Sequence, residues 1–243
     1  MKKLIFTVLL AITNVASSAA ETIRFATEAS YPPFEFIGEN NKIQGFDVDL
    51  TNELCKKINV ICTVSNQSFE SLIPGLKFHR YEAVIAGMDI TPERQQQVIF
   101  SQPYYDNFAL FVAKKGKLTD INALKGKRVG VQNGTTHQRY LLDQHKDIMN
   151  VPYDSYQNAI LDLKSGRLDA IFGDAAIVNS WLKKNNQLVI IGGNVTDKNY
   201  FGIGLGIAVR QGNDELVKRF NESLDKVKHD GTYRSIYNKW FQQ

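Results

Sequence analysis

The spacing of apolar and polar positions divides most of the chain into short buried strands and amphipathic helices. Residues 22–27 read as an apolar strand with Glu28 at its C-terminal end, and residues 31–36 as a stiff extended loop around Pro32-Pro33. A polar turn over 39–42 follows, then a helix opening at Asp47 or Asp49 with Leu50, Leu54 and Ile58 on one face. Residues 62–64 form a second strand, 69–76 begin a second helix, and 83–86 form a third strand that stops at Gly87. Beyond a loop at Met88, Asp89 and Ile90, Thr91 is placed to cap a helix with Pro92 in its first position and Glu93 in its first turn. Residues 22–91 thus alternate β-α-β-α-β, the pattern of a parallel sheet.

The pattern is then repeated. Residues 128–131 are a strand that ends in Gln132-Asn133-Gly134-Thr135-Thr136, followed by a helix over 137–145 and a short strand near 149–151. Ser155 caps a helix carrying Ala159, Leu161 and Leu163, which Gly166 stops. Residues 169–172 are the closing strand, with Gly173-Asp174 at its end and a further helix over 175–184. Residues 81–87 and 168–174 align position by position, so the chain reads as two lobes of one design. Two segments join them: the aromatic stretch 101–112, read as extended, and the glycine-rich stretch 200–209, read as a strand. Both are suited to hinge crossings, placed near 104–110 and 197–203. A long helix over 215–228 buries Leu216, Val217, Phe220, Leu224 and Val227, and a last helix ends in Tyr237, Trp240 and Phe241. This tail is expected to return to the first lobe, giving lobes of 21–107 plus 201–243 and of 108–200.

Composition changes this picture in two ways. The N-terminus has the form of a processing signal over residues 1–20: Lys2-Lys3, an apolar run over 4–15 too short to span a bilayer, and small residues that place cleavage after Ala19 or Ala20. Export to the periplasm is the expectation, and in that oxidising setting Cys55 and Cys62 read as one short disulfide between a helix end and the next strand. Formal charge is +4, and loss of Lys2 and Lys3 from the 29 basic residues leaves 27 against 25 acidic, or +2. The charges are interspersed, which argues against nucleic acid or a membrane surface as partner. Four scattered histidines (His79, His137, His145, His229) show no metal-ligand spacing, and no cofactor is called for.

Ligands of open α/β sheets bind outside the carboxyl ends of the strands. Those ends carry Glu28, Tyr31, Phe69, Ala86, Gly87, Met88, Asp89, Arg94, Asn133, Thr135, Thr136, His137 and Asp174. Arg94 offers a five-donor fork suited to a carboxylate. One cation, three carboxylates and nearby aromatics complement a ligand with one negative and more than one positive group, such as a dibasic amino acid.

The motifs SYPPFEF, GFDVDLTNELC, GMDITPERQQQV, FSQPYY, LKGKRVGVQNGTTHQ, SGRLDAIFGD and DGTYRSIYNKWF, in this order, resemble the periplasmic solute-binding proteins of polar amino acid ABC importers, and most the arginine-binding members. The resemblance implies the two-lobed α/β fold of type II periplasmic binding proteins and delivery of L-arginine to a membrane permease; a monomer is the default expectation. Arg94 would hold the ligand α-carboxylate with help from Thr136, and Asp174 would take the α-ammonium. Tyr31 and Phe69 would sandwich the side chain, with Glu28 facing its distal charge. His137 reads more as a helix-start residue than as a contact. Lysine/arginine/ornithine and histidine binders of this family carry serines where this chain has Ala86, Gly87 and Asp89. Backbone groups must therefore serve at the first two, and Asp89 adds an acceptor for the ammonium. Three rival readings remain: a dehydratase-like enzyme on the same scaffold, a receptor's sensor domain, and a binder of lysine, ornithine, histidine or an uncharged or acidic amino acid. No Ser–His or Cys–His pairing supports the enzyme, and unpaired acids in a closed cleft argue against an uncharged ligand.

Overall fold

The structure is a computed structural model in which residues 20–242 are described. The expected processing signal, Ala20 apart, lies outside the described residues. From the N-terminus the chain forms β1 (Thr22–Thr27), β2 (Ser30–Tyr31), β3 (Glu35–Ile37), β4 (Ile43–Gln44), α1 (Phe46–Lys57), β5 (Ile61–Asn66), α2 (Leu72–Lys77), β6 (Ala83–Val84), α3 (Pro92–Gln95) and β7 (Val98–Phe100). β1 runs parallel to both β5 and β6, with Phe25 opposite Val64 on one side and Ala83 on the other. The β-α-β-α-β pattern therefore yields the parallel core that it predicts. The loop expected over 31–36 is instead part of a small three-stranded antiparallel sheet, β2-β3-β4, with a cis peptide between Pro32 and Pro33. Its strands are two or three residues long, too short for an alternating pattern to register.

The chain then passes to a second sheet through β8 (Ala109–Lys114), β9 (Arg128–Gln132), α4 (Thr136–Gln144), β10 (Met149–Tyr153), α5 (Tyr156–Ser165), β11 (Ala170–Asp174), α6 (Ala175–Lys184), β12 (Leu188–Val195) and α7 (Lys198–Phe201). It returns as β13 (Ala208–Arg210) and finishes in α8 (Asp214–His229) and α9 (Thr232–Phe241). The second sheet has the order β10-β9-β11-β8-β12 and the first the order β5-β1-β6-β13-β7. In each, the central strand pairs parallel on one side and antiparallel on the other. β6 and β11, the two halves of the sequence repeat, are those central strands.

Both crossings are less regular than the sequence reads. Residues 101–108 are irregular before β8, and of the stretch 200–209 only the last two residues are strand, since Tyr200 and Phe201 belong to α7. Gly202 and Gly204 take positive φ here, outside the strand region, and a Cβ on Gly202 would meet the Ile90 carbonyl oxygen at 1.7 Å, so only glycine fits this close approach.

One large apolar cluster runs through both lobes, from Phe25 and Leu50 to Val112 and Ile171, and each sheet has a smaller cluster of its own. Ala26, Leu72, Leu76, Val84 and Val98 lie on one face of the first sheet, and Val129, Val131, Leu141, Phe172 and Phe201 lie in the second lobe. Contact continues between the lobes where Tyr31 meets Tyr156, ring centroids 5.6 Å apart. The terminal helix lays Tyr237 and Phe241 against Tyr105 and Phe46. Cys55 on α1 and Cys62 on β5 form the expected disulfide.

Candidate functional site

Tyr31 of β2, the loop after β6 and the ends of β9 and β11 converge on a small cavity between the lobes. Tyr31, Phe69, Ala86, Gly87, Asp89, Arg94, Thr136, His137 and Asp174 line it, joined by Gln132 and Thr135. Ten of the thirteen strand-end residues read from the sequence are thus brought together, and Glu28, Met88 and Asn133 do not line the cavity. Glu28 stands beside it at the end of β1.

Arg94 is aimed by its own short helix. Thr91 caps α3 by accepting from the Arg94 N–H at 3.2 Å, and Pro92 occupies the first helical position. The guanidinium is buried, donates to the Asp89 carbonyl at 3.1 Å, and lies 5.4 Å from the Phe69 ring centroid. Its Nη1 is 4.0 Å from Asp89 Oδ2, so the fork is not consumed by a tight ion pair.

Two acids face each other, one from each lobe. Asp89 accepts from Thr136 Oγ1 at 2.8 Å and from Asn107 Nδ2 at 2.8 Å. Burial, reinforced by Asp174, pushes its carboxyl up to about 6. Asp174 accepts from the Tyr31 hydroxyl at 2.5 Å and from Asn107 Nδ2 at 2.6 Å, and His137 Nε2 lies 3.1 Å from its Oδ1. Burial pushes Asp174 up, but the imidazole and these donors outweigh it and hold the carboxyl below its usual range. Asp174 occupies the N-cap position of α6, yet its side chain makes no cap bond and turns to the cleft instead.

Glu28 is buried, accepts from the Ser30 hydroxyl, and has its other oxygen buried without a protein partner. Burial raises its pKa. Gly87 takes φ +51°, and a Cβ there would meet the Tyr31 ring at 3.3 Å. Its N–H donates to Asp47 at 3.0 Å, which leaves it unavailable as the backbone donor expected in place of a serine. The same Asp47 oxygen accepts from the Tyr104 hydroxyl at 2.8 Å. Further contacts cross between the lobes at the rim, Asn133 donating to Glu70 and Arg139 pairing with Glu93.

Asn107 and Gln132 are the residues that sequence reasoning missed. Gln132 is the last residue of β9 and was within reach of the strand-end rule. Asn107 sits in an irregular crossing and carries no local signal.

A fold of two α/β lobes with strand ends gathered on a buried, charged cleft defines an extracellular solute-binding protein. The chain belongs to the bacterial extracellular solute-binding proteins, family 3, whose pattern it matches over residues 23–243. It is 64% identical over the whole of both chains to an Escherichia coli K12 protein named Putative ABC transporter arginine-binding protein 2. It is 55% identical, again over the whole of both, to ABC transporter arginine-binding protein 1 of the same strain. The fold superposes with TM-score 0.88 on a Salmonella typhimurium periplasmic binding protein described for high arginine specificity, at 51% identity over 91% of this chain and 100% of the other. The family binds solutes and does not transform them, which sets aside the enzyme reading.

Proposed function

We propose that the protein captures L-arginine between its lobes in the periplasm and delivers it to the permease of an ABC importer. The observation that carries this reading is the charge pattern: one buried guanidinium against Asp89 and Asp174 in the cleft and Glu28 beside it. Arg94 binds the α-carboxylate with Thr136, Asp174 and Asp89 take the α-ammonium, and Tyr31 and Phe69 flank the side chain. Glu28 takes the guanidinium, and its partnerless buried oxygen supports that role. The names of the close relatives point the same way. The moving lobes are 21–107 plus 201–243 and 108–200, hinged near 104–110 and 197–203, and the working form is a monomer exported by cleavage after Ala19 or Ala20.

The test is a thermal-shift panel of the twenty amino acids plus ornithine, on protein stripped of ligand by unfolding and refolding. At a hundredfold excess over Kd, linkage gives about 2.7 kcal/mol of stabilisation, or roughly 5–10 °C for a chain of this size. A shift led by arginine, with lysine and ornithine behind, is expected. No shift from any basic amino acid would overturn the assignment.

A further inference from the structure

Asn107 lies in the irregular crossing between β7 and β8, where the chain leaves the first sheet for the second. Its amide nitrogen donates to Asp89 Oδ1 at 2.8 Å and to Asp174 Oδ1 at 2.6 Å. Asp89 belongs to the loop after β6, and Asp174 ends β11, so one side-chain amide spans the two lobes. Among the described residues Asn107 alone hydrogen-bonds to both acids. The Asn107 Oδ1 is itself buried without a partner. Two carboxylate acceptors fix which end of the amide faces them, and the orphaned oxygen is the cost.

The arrangement answers a physical difficulty. Closing the lobes brings two buried carboxylates together, and like charges in a water-poor site oppose that approach. The fields of Arg94, His137 and the buried Tyr156 reach both acids, but none of these side chains hydrogen-bonds to the two at once. Arg94 on α3 stands at Asp89, while His137 on α4 and Tyr31 after β1 stand at Asp174. An amide with two N–H groups serves both acids at once, and each carboxylate keeps lone pairs for a further donor.

We propose that Asn107 is a positioning residue, a neutral clasp that joins Asp89 and Asp174 across the lobes into one subsite for the ligand ammonium. It thereby favours the closed arrangement and raises affinity from outside the ligand's reach. The inference rests on the reading that this acid pair binds the α-ammonium of an amino acid.

The experiment measures L-arginine affinity by titration calorimetry between pH 5.5 and 7.5 for the wild type, Asn107→Ala and Asn107→Asp. Small-angle scattering on each ligand-free protein accompanies it. Asn107→Ala loses both bonds and weakens binding about tenfold at pH 7.5, with a deficit that does not shrink on acidification, because without the amide both carboxyls take a proton more readily. Asn107→Asp adds a third carboxylate and weakens binding roughly a hundredfold at pH 7.5. Its deficit relative to the wild type shrinks on acidification, as the new acid takes a proton and can donate again. The recovery reports the charge of the new acid beside the pair, and the scattering comparison reports whether the amide holds the lobes together. Asn107→Ala is also expected to show a larger ligand-free radius of gyration than the wild type. Binding by Asn107→Asp within threefold of the wild type at pH 7.5, or a deficit that does not shrink with acid, would overturn the clasp. If Asn107→Asp fails to fold, unchanged affinity and unchanged scattering in Asn107→Ala would do the same. A wild type that binds no amino acid sinks the functional reading instead, and the clasp is then judged on scattering alone.

Discussion

Arg94 is the sharpest place to test the site, because its surroundings set both the size and the specificity of the expected loss. The side chain is 8% exposed, and its pKa is lowered by burial and supported by Asp89 and Asp174. Replacing it with alanine leaves the cleft with acids and no cation, so a bound carboxylate would face them unpaired. Removing one partner of a buried ion pair costs about 3–5 kcal/mol, which weakens Kd from about a hundredfold to several thousandfold. The fold should survive, since the truncation gives up one hydrogen bond to the Asp89 carbonyl and one ring contact with Phe69. Calorimetry with L-arginine and with L-argininamide, which lacks the carboxylate charge, separates the carboxylate role from general damage. The wild type should discriminate strongly against the amide, and Arg94→Ala should bind both alike and weakly. If Arg94→Ala binds arginine within tenfold of the wild type, or still rejects the amide as strongly, the carboxylate is held elsewhere.

Two further outcomes follow from the buried acids. Glu28→Gln should weaken arginine by roughly tenfold to a hundredfold, the range for a hydrogen bond to a charged group, and citrulline far less; equal losses in parallel calorimetric titrations would reject a guanidinium partner. Asp47, fully buried against Glu35 and raised by that burial to about 6, contributes stability that is present below its unfolded value and lost as pH rises through about 6. The stability of the wild type relative to Asp47→Asn, measured by denaturant unfolding, should therefore fall between pH 5 and 7.5 by an amount on the order of 1 kcal/mol. A difference that stays flat across that range would show that Asp47 does not titrate there.

Much of the fold was legible because its determinants are local. β1, β6, β9 and β11 carry buried apolar residues next to glycine or polar loops, and α8 carries its buried stripe at helical spacing. Thr91-Pro92 announces the start of α3 by cap chemistry within four residues. What escaped lacked a period: the short strands β2 to β4, β7 with three residues, and β12, whose pairing to β8 shifts register between Ile191 and Val195. The glycine-rich crossing misled, because its glycines serve positive φ and close backbone approach rather than a ladder.

The sequence by itself named most of the groups that line the cleft, since strand ends in an α/β chain are where ligands meet the backbone, and the residues there are written in order; Asn107, in an irregular crossing, was not among them. Only the tertiary structure decided how those groups are partnered. Tyr31 reaches Asp174 across 143 positions, Thr136 reaches Asp89 across 47, and Asn107 reaches both acids because antiparallel pairing sets Ala109 opposite Asp174. The physical reason is range. Propensity, capping and periodicity act within a few residues, whereas hydrogen bonds between lobes depend on how two separately built sheets come to rest against each other.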